Sequence, residues 1–206
     1  MFERVIEADK ELFFILNGFH SSFMDRVMVT LSAELPWAPL YAAVFFSLFF
    51  SISVLRANNS VKPALKIRRK HMSYALVTLA AVLVTFFLTE NVSGFIKDTA
   101  MRFRPAYDPE TGWMVRLLEH KGSLYGFVSS HAANTFGFAM ITSLIVKRRN
   151  YSFFIFTWAS LVSYSRIYVG KHYPADVVCG ALLGAITALM IFLIISLLLK
   201  RYKIYP

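Results

Sequence analysis

The chain has little cysteine, little acid and no repetition. Its single Cys179 excludes a disulfide within the chain and leaves the redox compartment unread. Asp and Glu number 12 against 22 Lys and Arg, giving a formal charge of +10. No internal repeat or low-complexity segment is present, which argues against a solenoid or a long linker. The stretch from Met1 to Asn17 carries Glu3, Glu7, Asp9 and Glu11, the wrong sign for the n-region of a cleavable signal, so none is expected.

Apolar residues dominate. The chain is 57% hydrophobic with a mean hydropathy of +0.54, too apolar for an ordinary soluble domain. Several runs reach the roughly 20 residues that a bilayer-spanning helix needs. At 206 residues, one domain over the whole chain is expected.

Phe2, Val5, Ile6, Leu12, Phe13 and Leu16 recur at helical spacing, with charges between them, and predict a helix lying on the membrane. A break at Gly18 precedes a second short apolar segment, Phe23 to Ser32, which holds Asp25 and Arg26 and reads as interfacial or partly inserted. Residues 1–34 thus form an interfacial N-terminal part. Spans follow at about Trp37 to Leu55, Met72 to Phe95, His131 to Val146, Phe153 to Val169 and Pro174 to Leu199. The expected fold is an all-α polytopic membrane bundle, with about five transmembrane helices.

Charge sets the expected topology. The 56–70 connection, the 147–149 turn and the C-terminal tail hold twelve of the 22 Lys and Arg residues and no acid. The positive-inside rule makes that side cytoplasmic. The surplus charge is then a topology signal and an attraction to anionic headgroups, so nucleic acid is not expected as a partner.

Three polar groups fall on the opposite face. The first is Lys97 through Arg104-Pro105. The second is Val128-Ser129-Ser130-His131. The third is Ser165-Arg166-Ile-Tyr-Val-Gly-Lys-His172-Tyr-Pro-Ala-Asp176. In the third, Pro174 suits the first turn of a helix and pushes Tyr173 toward extended geometry. His172 then sits just outside the helix and Asp176 in its first turn. That spacing lets Asp176 accept a hydrogen bond from one imidazole nitrogen and leaves the other unprotonated, as in an oriented base or nucleophile. A loop leading into a helix, with a satisfied His and an Asp near the dipole, fits the same twelve residues. Convergence on one face favours chemistry. Lys97, Arg104 and Arg166 supply cations, and His131 and His172 supply proton or nucleophile chemistry. Ser129 or Ser130 could cap the third span, whose amides form an anion site. Together these describe a phosphate site, and phosphoryl transfer depends on positioning and charge stabilisation.

Lys97-x6-Arg104-Pro105, Ser129-Ser130-His131 and Ser165-Arg166-x5-His172-x3-Asp176 resemble the three-part signature of type 2 phosphatidic acid phosphatases, the PAP2 superfamily. Vanadium haloperoxidases and glucose-6-phosphatase belong to it as well. The middle motif departs from the usual Pro-Ser-Gly-His, with Val128 for Pro and Ser130 for Gly. The resemblance covers residues 97–176. It implies that His172 attacks phosphorus and forms a phosphohistidine, that Asp176 orients it, and that His131 protonates the leaving oxygen and then helps activate water. It implies phosphate contacts from Lys97, Arg104, Ser129, Ser130 and Arg166, and neither cofactor nor metal. The outer face carries no carboxylate cluster suited to Mg²⁺.

Other residues carry two readings each. Arg102 reads as facing headgroups before it reads as a fourth phosphate cation. Lys171 reads as a snorkelling surface lysine. Glu90, inside the second span, is either functional or a hydrogen-bonding tie between helices. Tyr168 and Tyr173 read as interface aromatics. Trp113, Arg116 and Lys121 could form a lid or headgroup reader, or an ordinary ordered loop. His20, His71 and His120 are assigned no chemistry.

The expected function is hydrolysis of a lipid phosphomonoester or pyrophosphate. Undecaprenyl pyrophosphate ranks first, ahead of phosphatidylglycerol phosphate and lipid A phosphate. A bacterial inner-membrane location is expected, with the site on the periplasmic face and the bilayer as a partner. The alternative is a lipid or anion transporter using the same cations. Transport would not require a His–Asp pair plus a second His, and a haloperoxidase would not need five spans.

Overall fold

A computed structural model of the chain describes residues 2–54 and 64–201, with side chains over 3–47 and 76–201. The helices are α1 (Phe2–Gly18), α2 (Ser22–Ser32), α3 (Ala38–Val54), α4 (Ala64–Ala100), α5 (Ser130–Val146), α6 (Arg149–Tyr168) and α7 (Pro174–Arg201). Short 3₁₀ turns occur at Leu35–Trp37, Pro105–Tyr107 and Gly112–Met114. The described residues contain no strand, and the all-α expectation holds. Phe103 and Tyr125 form an isolated bridge.

α5 is the central helix and packs against α4, α6 and α7. Small residues make this approach close. A Cβ on Gly184 would run into the Ala133 carbonyl, and one on Gly180 into the Ser129 carbonyl. The α5 and α7 backbones therefore touch, as membrane helices do where small residues face each other. On α4, the buried Thr85 donates to the Ala81 carbonyl at 2.7 Å, and the buried Thr89 hydroxyl lies 3.0 Å from the Thr85 carbonyl. Such back-bonding satisfies hydroxyls where no water is available. Glu90 accepts from Asn134 Nδ2 at 2.7 Å, and Asn134 Oδ1 accepts from Thr89 at 2.6 Å. Glu90 thus ties α4 to α5, the second of its two sequence readings.

Each of the five expected spans coincides with a helix, α3 to α7. Among the described residues, two of them are long and apolar enough to cross a membrane: Leu76–Ala100 of α4, and α7. α2 and the start of α3 form a pair bent by 71° that would count as a third. The chain is a multi-pass membrane protein, but the count of five is not reproduced by length and composition. α5 has 17 residues, about 26 Å at 1.5 Å per residue, and its neighbours cover its polar face. α6 is interrupted by Ser, Thr and Arg. Helices shielded in this way need no uniformly apolar surface. The basic 56–70 connection also differs. Residues 64–70 continue α4, and 56–63 lie outside the described residues, as does Lys203.

The N-terminal helices are packed more intimately than a purely interfacial pair. Phe13 is fully buried, with its ring 5.2 Å edge-on from Tyr173, and shares a cluster with Ala132, Ile167 and Val177. Met28 of α2 packs on Tyr168 and Val169. Asn17 ties the 101–129 loop to α6, donating to Tyr168 O at 2.8 Å and Arg116 O at 3.0 Å. These contacts place α1 and α2 over the end of the bundle where α4 and α6 finish and α5 and α7 begin.

Candidate active site

The loop into α7 forms as its residues dictate. Pro174 opens the helix, His172 precedes it and Asp176 lies in the first turn. The Asp176 side chain is wholly buried. Its Oδ2 accepts from the Tyr173 amide at 3.0 Å, as an acid in the first turn does when it reaches back to the residue before the helix. His172 Nδ1 lies 3.4 Å from Oδ2, within ion-pair range, but outside hydrogen-bond geometry. The expected His–Asp hydrogen bond is therefore a close approach here. Asp176 spends its best acceptor geometry on two other donors.

The second donor is Arg102. Its Nη1 donates to Asp176 Oδ1 at 2.8 Å, and its Nη2 to Asp9 Oδ2 of α1 at 2.6 Å. The guanidinium also stacks over the Tyr173 ring at 4.4 Å. Reading Arg102 as facing headgroups is corrected by these contacts. The other oxygen of Asp9 accepts the Ala175 amide at 2.8 Å, so α1 satisfies a donor of the first turn of α7. Arg104 follows two residues after Arg102. The stretch between α4 and the turn at Pro105 is not helical, and extended backbone sends alternate side chains the same way. Arg104 Nη1 accordingly lies 3.2 Å from His172 Nε2. Its Nη2 donates to Ser123 at 3.0 Å, and its Nε to Tyr125 O at 3.2 Å.

Arg166 reaches the same region from the last turn of α6. Its Nη1 donates to Ser32 O at 3.1 Å, contacts the Ser32 hydroxyl, and stands 3.6 Å from Glu119 Oε2. Its Nε is buried with no partner among the described residues. Lys171 is 7% exposed, and its Nζ lies 3.2 Å from Glu119. A snorkelling surface lysine is thereby corrected to a buried, paired one. Tyr168 and Tyr173 are likewise buried, not interfacial, and their hydroxyls donate to Asp25 at 2.7 Å and Asp108 at 3.1 Å.

Ser129 is the α5 N-cap. Its hydroxyl accepts from the Ala132 amide at 3.4 Å, and its own amide donates to Asp176 O at 2.9 Å. Ser130, free of capping duty, contacts Lys97 Nζ and lies 2.7 Å from Ser93 Oγ. His131 Nε2 lies 3.3 Å from Glu34, at the bend between α2 and α3. In the loop, Arg116 pairs with Asp25 at 2.5 Å and Lys121 lies over the Tyr107 ring at 5.0 Å, while Trp113 is 83% exposed. Arg116 is thus tied into the fold, which favours the ordered-loop reading for it.

Burial holds the His172 imidazolium far below the usual histidine range, and the nearby Arg104, Arg166 and Lys97 charges push the same way. The ring is neutral at pH 7. Burial alone would raise the Glu119 carboxyl. A hydrogen bond from Ser32 and the Arg166 and Lys171 charges outweigh it, and Glu119 stays ionised. Lys171 is lowered by burial against the pull of Glu119. Among the described residues, no three His, Cys, Asp or Glu side chains cluster as a metal site would need.

The structure thus draws Lys97, Arg104, Ser129, Ser130, His131, Arg166, His172 and Asp176 to one end of the bundle. Asp9, Glu34, Arg102, Glu119 and Lys171 join them; of these only Arg102 and Lys171 were weighed from sequence, and not for the contacts they make here. One available signal was the Arg102-x-Arg104 period, which pairs the two side chains in any extended segment.

Fold and site together define a helical membrane protein with a histidine- and cation-lined site at one end of its bundle. Residues 70–200 match the family model described as the PAP2 superfamily, and the chain belongs to that superfamily. Lipid A 4'-phosphatase of Bacteroides thetaiotaomicron is 29% identical over 206 residues, 98% of this chain and 84% of that protein. Undecaprenyl-diphosphatase BcrC of Bacillus subtilis is 28% identical over 194 residues, 93% of this chain and 86% of that protein. The fold is similar to that of the Bacillus subtilis PAP2-type phosphatidylglycerolphosphate phosphatase, with TM-score 0.65, 20% identity, and 91% and 84% of the two chains covered. It is also similar to Aquifex aeolicus LpxE, with TM-score 0.57, 23% identity, and 88% and 93% covered. Phosphatase relatives matched over most of both lengths make the chain a phosphoric ester hydrolase.

Proposed function

We propose that the chain is a metal-independent lipid phosphatase in which His172 is the nucleophile. One observation carries this reading: the contact of Arg104 Nη1 with His172 Nε2 at 3.2 Å. A guanidinium can only donate, so Nε2 accepts and holds a lone pair, and the ring proton sits on Nδ1 facing Asp176. The nucleophilic nitrogen therefore already faces a phosphate-seeking cation.

The steps follow. Nε2 attacks phosphorus while the bond to the lipid oxygen breaks, and His131, which takes up a proton when the phosphate anion binds beside it, gives that proton to the leaving oxygen. Asp176 stabilises the Nδ1–H side as the ring becomes cationic. The neutral His131 then takes a proton from water, which attacks the phosphohistidine, releases phosphate and restores His172. Arg104, Arg166, Lys97, Ser130 and the α5 amides behind the Ser129 cap hold the phosphoryl oxygens, whose charge grows in the transition state.

A lipid substrate fits the setting. The site lies at helix ends, where a headgroup lies. An apolar cavity of about 390 Å³ opens between α3, α4 and α5, lined by Tyr41, Val44, Val82, Phe86 and Phe138 among others. Similarity to lipid A 4'-phosphatase over 98% of the chain favours a lipid A phosphate as substrate. Undecaprenyl pyrophosphate, ranked first from sequence, is the second reading, favoured by the similarity to BcrC. The whole chain acts as one domain in a bacterial inner membrane, with the site on the periplasmic face. Phosphate release from detergent-solubilised lipid A, undecaprenyl pyrophosphate and phosphatidylglycerol phosphate, in EDTA, tests this. Transport of a lipid phosphate without release would sink the enzymatic reading.

A further inference from the structure

The loop segment 119–123 lies directly on the cations. Glu119 Oε2 is 3.2 Å from Lys171 Nζ and 3.6 Å from Arg166 Nη1. A Cβ built on Gly122 would stand 3.7 Å from the Arg104 guanidinium carbon and 3.8 Å from Lys171 Nζ. Ser123 accepts from Arg104 at 3.0 Å. Arg166 and Lys171 are both buried, and two buried cations side by side need an anion. In the resting chain that anion is a carboxylate. It is held loosely on the Arg166 side, where 3.6 Å exceeds hydrogen-bond length.

The anchoring of the loop changes at this point. Leu118 N donates to Val169 O at 3.2 Å and Asn17 grips Arg116, whereas residues 120–124 are exposed. Gly122 has φ +76, a left-handed turn that glycine adopts without strain. Glu119 thus sits where a fixed stretch gives way to an exposed turn. On leaving the cations its side chain gives up the Lys171 contact and the Ser32 hydrogen bond.

We propose that Glu119 is an internal anion that occupies the Arg166–Lys171 pair in the resting enzyme and is displaced by the phosphoryl group of the substrate, so that it sets the affinity for phosphate-like oxyanions. This rests on Arg166 being a phosphate ligand. A phosphoryl group brings three acceptor oxygens and more charge than one carboxylate, so it outcompetes Glu119 where a weaker anion does not. Displacement lowers apparent affinity by the fraction of enzyme already open.

The test compares wild type, Glu119→Gln and Glu119→Asp in phosphate release from one lipid phosphate, with orthovanadate as competitor. Glu119→Gln should lower both the vanadate Ki and KM about tenfold, with kcat unchanged or reduced because product phosphate leaves more slowly. Glu119→Asp cannot reach both cations and should shift both in the same direction by less. If Glu119→Gln does not fold, Glu119→Asp alone decides. Unchanged or weaker vanadate binding in the folded variants overturns the proposal and makes Glu119 a positioning residue for the cations. Wild type that ignores millimolar vanadate, with Arg166→Lys fully active, would instead remove the phosphate site itself, and the inference with it.

Discussion

Arg102 donates to Asp176 at 2.8 Å, closer than His172 Nδ1 approaches the same carboxylate. The buried acid is therefore held in place mainly by an arginine that is itself fixed by Asp9 of α1. Truncating Arg102 to Ala leaves the buried Asp176 carboxyl without this donor. Unmet buried polar groups cost about 1–3 kcal/mol, and Arg102 is partly exposed, which keeps the loss toward the lower end. The variant should fold with a lower Tm and lose roughly tenfold or more in kcat/KM. Asp9→Asn, which keeps an acceptor for Ala175, should lose less. Full activity in Arg102→Ala would mean that Asp176 needs no support from it.

His172 is held neutral well below the ordinary value of 6.5, first by burial and then by Arg104 and Arg166. The sign follows from linkage. The unfolded chain takes up a proton near pH 6.5 that the folded chain refuses, so stability is full above that pH and falls as pH drops below it. The Tm in detergent should decline from pH 7 to pH 5, less steeply in His172→Gln. Activity should persist as pH falls through 6.5, because the nucleophile stays unprotonated. An acid limb in kcat/KM at or above pH 6.5 that tracks His172 would contradict this environment.

Local chemistry was legible and distant partnership was not. Pro174 dictates where α7 starts, so the placement of His172 and Asp176 could be read from five residues. The Ser129 cap was readable as one of two serines. Arg102 was misread because its partners lie 93 and 74 residues away, and an arginine two residues from a helix end looks like any headgroup contact. Lys171 was misread for the same reason. Its partner Glu119 sits in a loop whose path no periodicity predicts. Tyr168 and Tyr173 followed the aromatic-belt expectation until α1 and α2 packed over them. The five expected spans were read from apolar runs, and each coincides with a helix, although length and composition qualify only two, or three with the bent pair, among the described residues. α5 and α6 are covered by neighbours and carry buried Thr and Ser instead.

The one-sided Lys and Arg distribution predicts which face carries the site. With Cys179 replaced by Ser, a cysteine at Trp113, which is exposed, should react with an impermeant maleimide in intact spheroplasts. A cysteine at Arg148, in the turn between α5 and α6, should react only after permeabilisation. The reverse pattern would put the site on the cytoplasmic side.

Arg166→Lys keeps the charge but loses the planar fork. Ser32, Glu119 and the partnerless Nε are all arranged for a guanidinium. The expected loss is on the order of 100-fold in kcat/KM, roughly 2.7 kcal/mol of transition-state stabilisation. Near-normal kinetics would show that Arg166 does not hold the phosphoryl group.

The two histidines should separate by substrate. If His172 is the nucleophile, His172→Ala should abolish turnover and any covalent phosphoenzyme on every substrate, because it removes the nitrogen that faces Arg104. In the proposed mechanism His131 has a different task, giving its proton to the leaving oxygen. His131→Ala should cripple hydrolysis of a lipid alkyl phosphate, by the roughly 10²–10⁴-fold that general acid catalysis contributes. It should cost much less with p-nitrophenyl phosphate, whose leaving group needs no proton. Glu34, 3.3 Å from His131 Nε2, adds a control. Glu34→Gln should shift the pH dependence of lipid hydrolysis more than that of p-nitrophenyl phosphate, since its direct contact is with His131. Phosphoenzyme trapped during turnover should be acid-labile and base-stable, as expected for phosphorus on nitrogen. Labelled phosphate still trapped on His172→Ala, or equal losses for both alanine variants on both substrates, would overturn this division of roles.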